Sequence, residues 1–113
     1  MKRGEVWLVN LDPTIGAEIK KKRPCVIVNQ DAIAKLPLKI IVPLTFWYAQ
    51  FSSAPWHVRV KPSQINGLEN ESSADTFQVR SVSEKRLAQK IGELESELIE
   101  KINKALSVSL NLS

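Results

Sequence analysis

The chain has 113 residues, 43% of them hydrophobic and 25% charged, the proportions of an ordinary globular protein with room for one core. Its lone cysteine, Cys25, excludes an intrachain disulfide and a thiolate metal cluster, and its lone histidine, His57, excludes a two-histidine acid–base pair. The net charge of +4 is uneven: residues 1–62 hold ten Lys or Arg against four acids and residues 63–113 six against eight, so the first half is the one suited to a polyanion. No apolar run reaches the length of a membrane span. MKRGEVW has no signal-type stretch after its basic residues, so one domain over 1–113 and a cytoplasmic location are expected.

In chain order, Glu5 to Leu11 alternates with apolar residues on both faces and predicts a well-covered strand, stopped by the Asp12-Pro13 turn signal. Gly16 and the cations Lys20, Lys21, Lys22 and Arg23 follow. Pro24 to Gln30 and Lys39 to Leu44 are β-branched apolar runs, read as strands, with Pro43 expected at an edge or bulge because it cannot donate to a ladder. Cys25, between Pro24 and Val26, reads as a buried, inert thiol.

Trp56 to Lys61 alternates, with Trp56, Val58 and Val60 expected inward and His57 facing solvent. Asn66-Gly67 marks a turn, Glu69-Asn70-Glu71 another, and Ala74 to Val82 reads as a further strand. Ser83 ahead of Glu84 to Leu87 predicts a short N-capped helix. From Ser96 the period is helical, with Leu98, Ile102, Ala105, Leu106 and Ser109 on one stripe and Glu97–Lys101 and Glu100–Lys104 as i,i+4 pairs. The expected class is mainly β with a C-terminal helix (α+β): a small antiparallel barrel or strongly bent sheet.

The residues that carry metal, cofactor or histidine chemistry are not arranged in known motifs: HExxH, CxxC, GxxxxGK[ST] and GxSxG are all missing from the sequence. Cations, hydroxyls, amides and aromatics remain. Arg23 differs from the three lysines because Pro24 holds it at a strand threshold, where a guanidinium can grip a phosphate with two parallel hydrogen bonds. Lys20, Lys21 and Lys22 are expected on a mobile, phosphate-attracting loop. Four of the seven aromatics lie between residues 46 and 51, where Trp47 and Tyr48 suit unstacked bases or, equally, a barrel seam or subunit contact.

RGEVWLVNLDPTIGAEIKKKRPCVIVNQD is similar to the opening of the MazF/PemK toxins, the mRNA interferases of bacterial toxin–antitoxin pairs. The matching landmarks are Gly4-Glu5-Val6, Asp12-Pro13, Gly16-Ala17-Glu18, Arg23-Pro24, Leu44-Thr45 and the Gln78-Val79-Arg80-Ser81-Val82 block, with a terminal helix in the expected place. The resemblance implies an SH3-like barrel working as a homodimer, and sequence-specific endoribonuclease activity on single-stranded RNA without metal or cofactor. It implies attack by the ribose 2′-hydroxyl, leaving a 2′,3′-cyclic phosphate and a 5′-hydroxyl. It places the catalytic roles on Arg23 and Thr45, brings Glu18 and Gln78 near bound RNA, and calls for a cognate, MazE-like antitoxin, expected to be acidic. Two positions depart from the family pattern: Phe77 stands where an acid is common, and the loop before Arg23 is lysine-rich.

On chemical grounds Arg23 suits transition-state stabilisation, with proton donation to the leaving oxygen as a second role open to it, because a guanidinium is a poor base. The proton acceptor for the 2′-hydroxyl is not identified by the sequence. Two other readings stand beside this one: a CcdB-like toxin that poisons gyrase without nuclease activity, and a non-catalytic barrel that binds nucleic acid.

Overall fold

The protein is described here from a computed structural model, which covers residues 1–33 and 35–112, with Ile33 described by its backbone alone. Seven strands and one α-helix make up the regular structure: β1 (Glu5–Asn10), β2 (Lys22–Ile27), β3 (Leu38–Phe46), β4 (His57–Val60), β5 (Ser72–Asp75), β6 (Arg80–Ser83), β7 (Leu87–Glu93) and α1 (Ser96–Leu110). The sheet runs β4-β5-β3-β2-β1-β7, with β6 pairing the first part of β3, and every described pairing is antiparallel. It is strongly bent and does not close into a barrel.

The β3 strand organises this sheet. On one side Ile41, Val42 and Pro43 pair with β2. On the other side its partner changes, from β6 at residues 38–41 to β5 at residues 44–46. Pro43 therefore sits in a central strand and not at an edge; of the edge or bulge expected for it, the structure has a break in the ladder on one side of the strand. It is tolerated because the far-side ladder is interrupted at Val42 and Pro43, where neither β6 nor β5 is in register.

Side-chain alternation along β2 and β3 divides the interior in two. Val26, Val42 and Leu44 join Val58, Ile102 and Ala105 in the part of the core covered by α1. Cys25, Ile27 and Ile41 join Val9, Val82 and Leu87 on the opposite side. The helix follows the predicted stripe, burying Ile102 and Ala105, and its last turns are tied to the turn after β5 by a 2.9 Å hydrogen bond between the hydroxyls of Thr76 and Ser109. It ends at Asn111, whose left-handed φ of 56° lets the following N–H, of Leu112, return to the Ser107 carbonyl at 2.8 Å. The described ion pairs do not include Glu97–Lys101 or Glu100–Lys104.

Three further details differ from expectation. The run from Ala74 to Val82 is two short strands separated by a 3-10 turn, Thr76–Gln78. Trp56 lies outside β4 and is exposed, while His57 is half-buried. The seventh strand, β7, pairs with β1 through two register shifts and completes the edge.

Candidate active site

Arg23 stands near the start of β2, paired with Val9 of β1, and Pro24 is paired with Leu8. The β2–β3 register runs Cys25↔Pro43, Val26↔Val42, Ile27↔Ile41, and continued by two residues it sets Arg23 across from Thr45. From the other side Thr45 is fixed by its pairing with Ser73 of β5. Arg23 and Thr45, both half-buried, line one cleft of about 400 Å³, together with Lys22, Leu44, Phe46 and Leu68. The Arg23 Nε donates to the Lys20 carbonyl at 3.3 Å. Among the described contacts, the two terminal nitrogens of Arg23 and the Thr45 hydroxyl have no hydrogen-bond partner.

The opposite wall is the turn between β4 and β5. Asn66, fully buried, is its hub: Oδ1 accepts from the Ser63 and Leu68 N–H groups at 3.0 Å each, and Nδ2 donates to the Lys61 carbonyl at 2.9 Å. Gly67 has φ +68°, and a Cβ there would lie 2.0 Å from the Ile91 carbonyl oxygen, so only glycine fits against β7. This turn brings Glu69 and Asn70 to the cleft. The Asn-Gly pair announces a turn in the sequence but carries no information about what that turn faces, so Glu69 and Asn70 were not legible as site residues.

The cationic loop is held at both flanks. Lys21 takes a left-handed φ of 71°; its N–H donates to Asp12 Oδ1 at 3.2 Å and its carbonyl accepts the Leu11 N–H at 2.9 Å. Glu18 Oε1 accepts the Ile15 N–H at 2.6 Å. Gln78 Oε1 accepts the Ile19 N–H at 2.6 Å. The backbone is thus more constrained than the sequence suggested, and Lys22 is not on the loop but opens β2, paired with Asn10; the side chains of Lys20, Lys21 and Lys22 are exposed.

The aromatic segment after Thr45 splits in use. Phe46 lines the cleft. Trp47 and Tyr48 lie beyond the lining and both meet Phe51 edge-on, at 5.9 and 5.7 Å between centroids. The Phe51 ring stacks on His57 at 3.8 Å, and the Arg59 guanidinium sits 5.1 Å from the Trp47 ring centre while paired with Glu71 at 2.6 Å. The segment thus covers the outer face of β4 and β5, and buries Ser73, whose Oγ is 2.6 Å from His57 Nδ1. Tyr48 remains exposed.

Two of the shifted ionisable groups are His57, on this face, and Cys25, in the other part of the core. Burial lowers the His57 pKa below its ordinary value, against the opposing charge of Asp75. Burial pushes the Cys25 thiol up to about 12, which keeps it protonated and non-nucleophilic two residues from Arg23.

A model of the family described as PemK-like, MazF-like toxin of type II toxin-antitoxin system matches residues 2–110. Endoribonuclease EndoA of Bacillus subtilis is 30% identical over 112 residues, covering 99% of this chain and 96% of the relative. Endoribonuclease MazF9 of Mycobacterium tuberculosis is 30% identical over 118 residues, covering 99% and 98%. Among solved structures, MazF of Deinococcus radiodurans superposes with a TM-score of 0.82 at 18% identity, covering 99% of this chain and 97% of that one. A mycobacterial endoribonuclease in complex with its cognate antitoxin gives 0.80 at 23%, covering 100% and 97%. At these identities the structures show the same fold.

Proposed function

The chain belongs to the PemK-like, MazF-like toxins of type II toxin–antitoxin systems, and from that premise we propose that it is a sequence-specific endoribonuclease cutting single-stranded mRNA. The observation that carries this reading is that Arg23 and Thr45, each with unpartnered donors, line one cleft from neighbouring strands. The 2′-oxygen attacks the adjacent phosphorus, the bond from phosphorus to the 5′-oxygen breaks, and a 2′,3′-cyclic phosphate and a 5′-hydroxyl result. Negative charge gathers on the phosphoryl oxygens during this step. The Arg23 terminal nitrogens and the Thr45 hydroxyl are donors fixed before substrate arrives, and each such donor is worth about 3–4 kcal/mol of transition-state stabilisation. The leaving 5′-oxygen takes a proton from the Arg23 guanidinium. Glu69 is the carboxylate lining the same cleft, and it is assigned the proton of the attacking 2′-hydroxyl. The steps route no charge through a metal.

Lys20, Lys21 and Lys22 add sequence-independent attraction for phosphates flanking the cut, and Trp47 and Tyr48 extend the strip toward the flanking bases. As a toxin of this family the chain works as a homodimer restrained by a cognate antitoxin, for which an acidic segment complementary to the cationic loop is expected. The test is incubation of pure protein with mixed-sequence RNA in EDTA, with mapping of the ends. Specific cuts bearing 5′-hydroxyls are expected, with Arg23→Ala slower by about 10²–10³-fold. Undiminished cleavage by the Arg23→Ala protein overturns the assignment, and DNA breaks that need gyrase, without RNA cuts, would point to a CcdB-like toxin.

A further inference from the structure

The Gln78 side chain has its polar atoms committed inside the protein. Its Oε1 accepts the Ile19 N–H at 2.6 Å, and its Nε2 donates to Asp75 Oδ2 at 3.1 Å and reaches the Ala17 carbonyl at 3.4 Å. The orientation of the amide is forced, because a backbone N–H can only donate and a carboxylate can only accept. Asp75 is itself fixed: it is buried in β5, and its Oδ1 accepts the Phe77 N–H at 3.1 Å, capping the 3-10 turn that carries Gln78. One residue beyond Ile19, the Lys20 carbonyl is the acceptor for Arg23 Nε. A continuous line of contacts therefore runs from Asp75 through Gln78 and the Ile19–Lys20 peptide to the Arg23 guanidinium.

We infer that Gln78 is a positioning residue that sets the loop before Arg23, and through it the guanidinium, before any RNA binds. The inference rests on the RNA-cleaving reading for its effect on rate, but not for its effect on the loop. A side chain that read a base would need open polar atoms, and those of Gln78 are taken. The asymmetric demand on the amide also distinguishes substitutions. Gln78→Ala removes both bonds. Gln78→Glu keeps an acceptor for Ile19 but sets a carboxylate against that of Asp75. Lowering the pH until the two carboxyls share a proton restores the bridge. Glu18 and Arg80 line the same cleft as Gln78, and His57 lies across from Asp75 on β4, so the profile of the unsubstituted protein is the reference for that titration.

The test uses the full chain and two readouts, with the fold of each variant checked by circular dichroism. In RNA-free protein, the Ile19 amide of the Gln78→Ala variant should exchange its hydrogen at least about fivefold faster, as one hydrogen bond is lost. With a mixed-sequence RNA, the same variant should lose on the order of 10²-fold in kcat at all sites alike, with KM and cut-site preference little changed. Gln78→Glu should be impaired at neutral pH and recover on acidification relative to the unsubstituted protein. Unchanged Ile19 protection in Gln78→Ala, or an altered cut-site preference with the loop intact, overturns the inference and makes Gln78 a reader of RNA. If the unsubstituted protein cuts no RNA, the functional reading fails, and the Ile19 exchange alone supports or overturns the positioning role.

Discussion

In the proposed reaction Arg23 is asked to act by the shape of its guanidinium as much as by its charge. Its Nε is spent on the Lys20 carbonyl, and only a planar fork can hold that bond while turning two further donors to the cleft. Arg23→Lys keeps the charge and loses this geometry, so kcat should fall nearly as far as in Arg23→Ala, while the affinity for RNA is kept; steady-state rates beside filter binding separate the two. Thr45→Ser should retain activity and Thr45→Val should lose it. Glu69→Gln should lower kcat at saturating RNA while leaving the affinity for RNA near that of the unsubstituted protein. His57 gives a stability prediction. Its folded pKa is below the ordinary value of 6.5, so the unfolded chain binds the proton first. Its contribution is complete above the unfolded pKa and is lost as pH falls from there through the folded value. The Tm should drop across that mildly acidic window, and in a His57→Gln variant that part of the pH dependence should disappear.

At the scale of elements, the sequence was most legible where burial followed one clear period. β1, β3 and α1 stand close to their expected positions, and the Ser83 cap forms as read, with its hydroxyl accepting the Lys85 N–H at 3.2 Å. Illegible elements owe their conformation to a neighbour. Leu87 to Glu93 shows no alternation: Leu87 is buried, Ala88, Gln89 and Lys90 are exposed, and Ile91 is half-buried. It is a strand because β1 offers an open edge, and the bulges in that pairing erase the period of two. Likewise the break in residues 74–82 depends on Asp75 capping a turn, a local competition between side chain and ladder that apolar counting overlooks. The α1 stripe yields an energetic prediction. Ile102 is almost fully buried at the centre of the helix–sheet contact, so Ile102→Ala should cost about 2–5 kcal/mol, measured by urea unfolding. Val108→Ala, at an exposed position of the same helix, should change little.

Over the whole molecule, charge is redistributed by folding. The division into a cationic first half and an anionic second half dissolves, since Arg59 of β4 shares a groove with Lys101 and Lys104 of α1. Cations thus also line the edge away from the Arg23 cleft, a further feature that no reading of chain halves supplies. Lys20 and Lys21 on the loop and Lys22 at the start of β2 nevertheless remain exposed, and Lys22 lines that cleft. Replacing Lys20, Lys21 and Lys22 together by Ala should reduce the steepness of RNA affinity against salt by up to about 2 units of logarithmic slope, at about 0.7 per phosphate contact on a single strand. The chemical rate at saturating RNA should stay near that of the unsubstituted protein, provided the backbone pins at Asp12 and Gln78 survive.

The buried thiol of Cys25 gives this fold an internal clock. Alkylating reagents consume thiolate, and a group with its pKa near 12 and no exposed surface reacts only when β2 leaves its place between β1 and β3. Because Arg23 rides on the same strand, the labelling rate of this single cysteine measures how often the Arg23 guanidinium is out of position. Iodoacetamide trapping, followed by mass, should be slow in the resting protein. Bound RNA or antitoxin that clamps β2 should slow it further, reporting occupancy of the cleft without any cleavage having to occur.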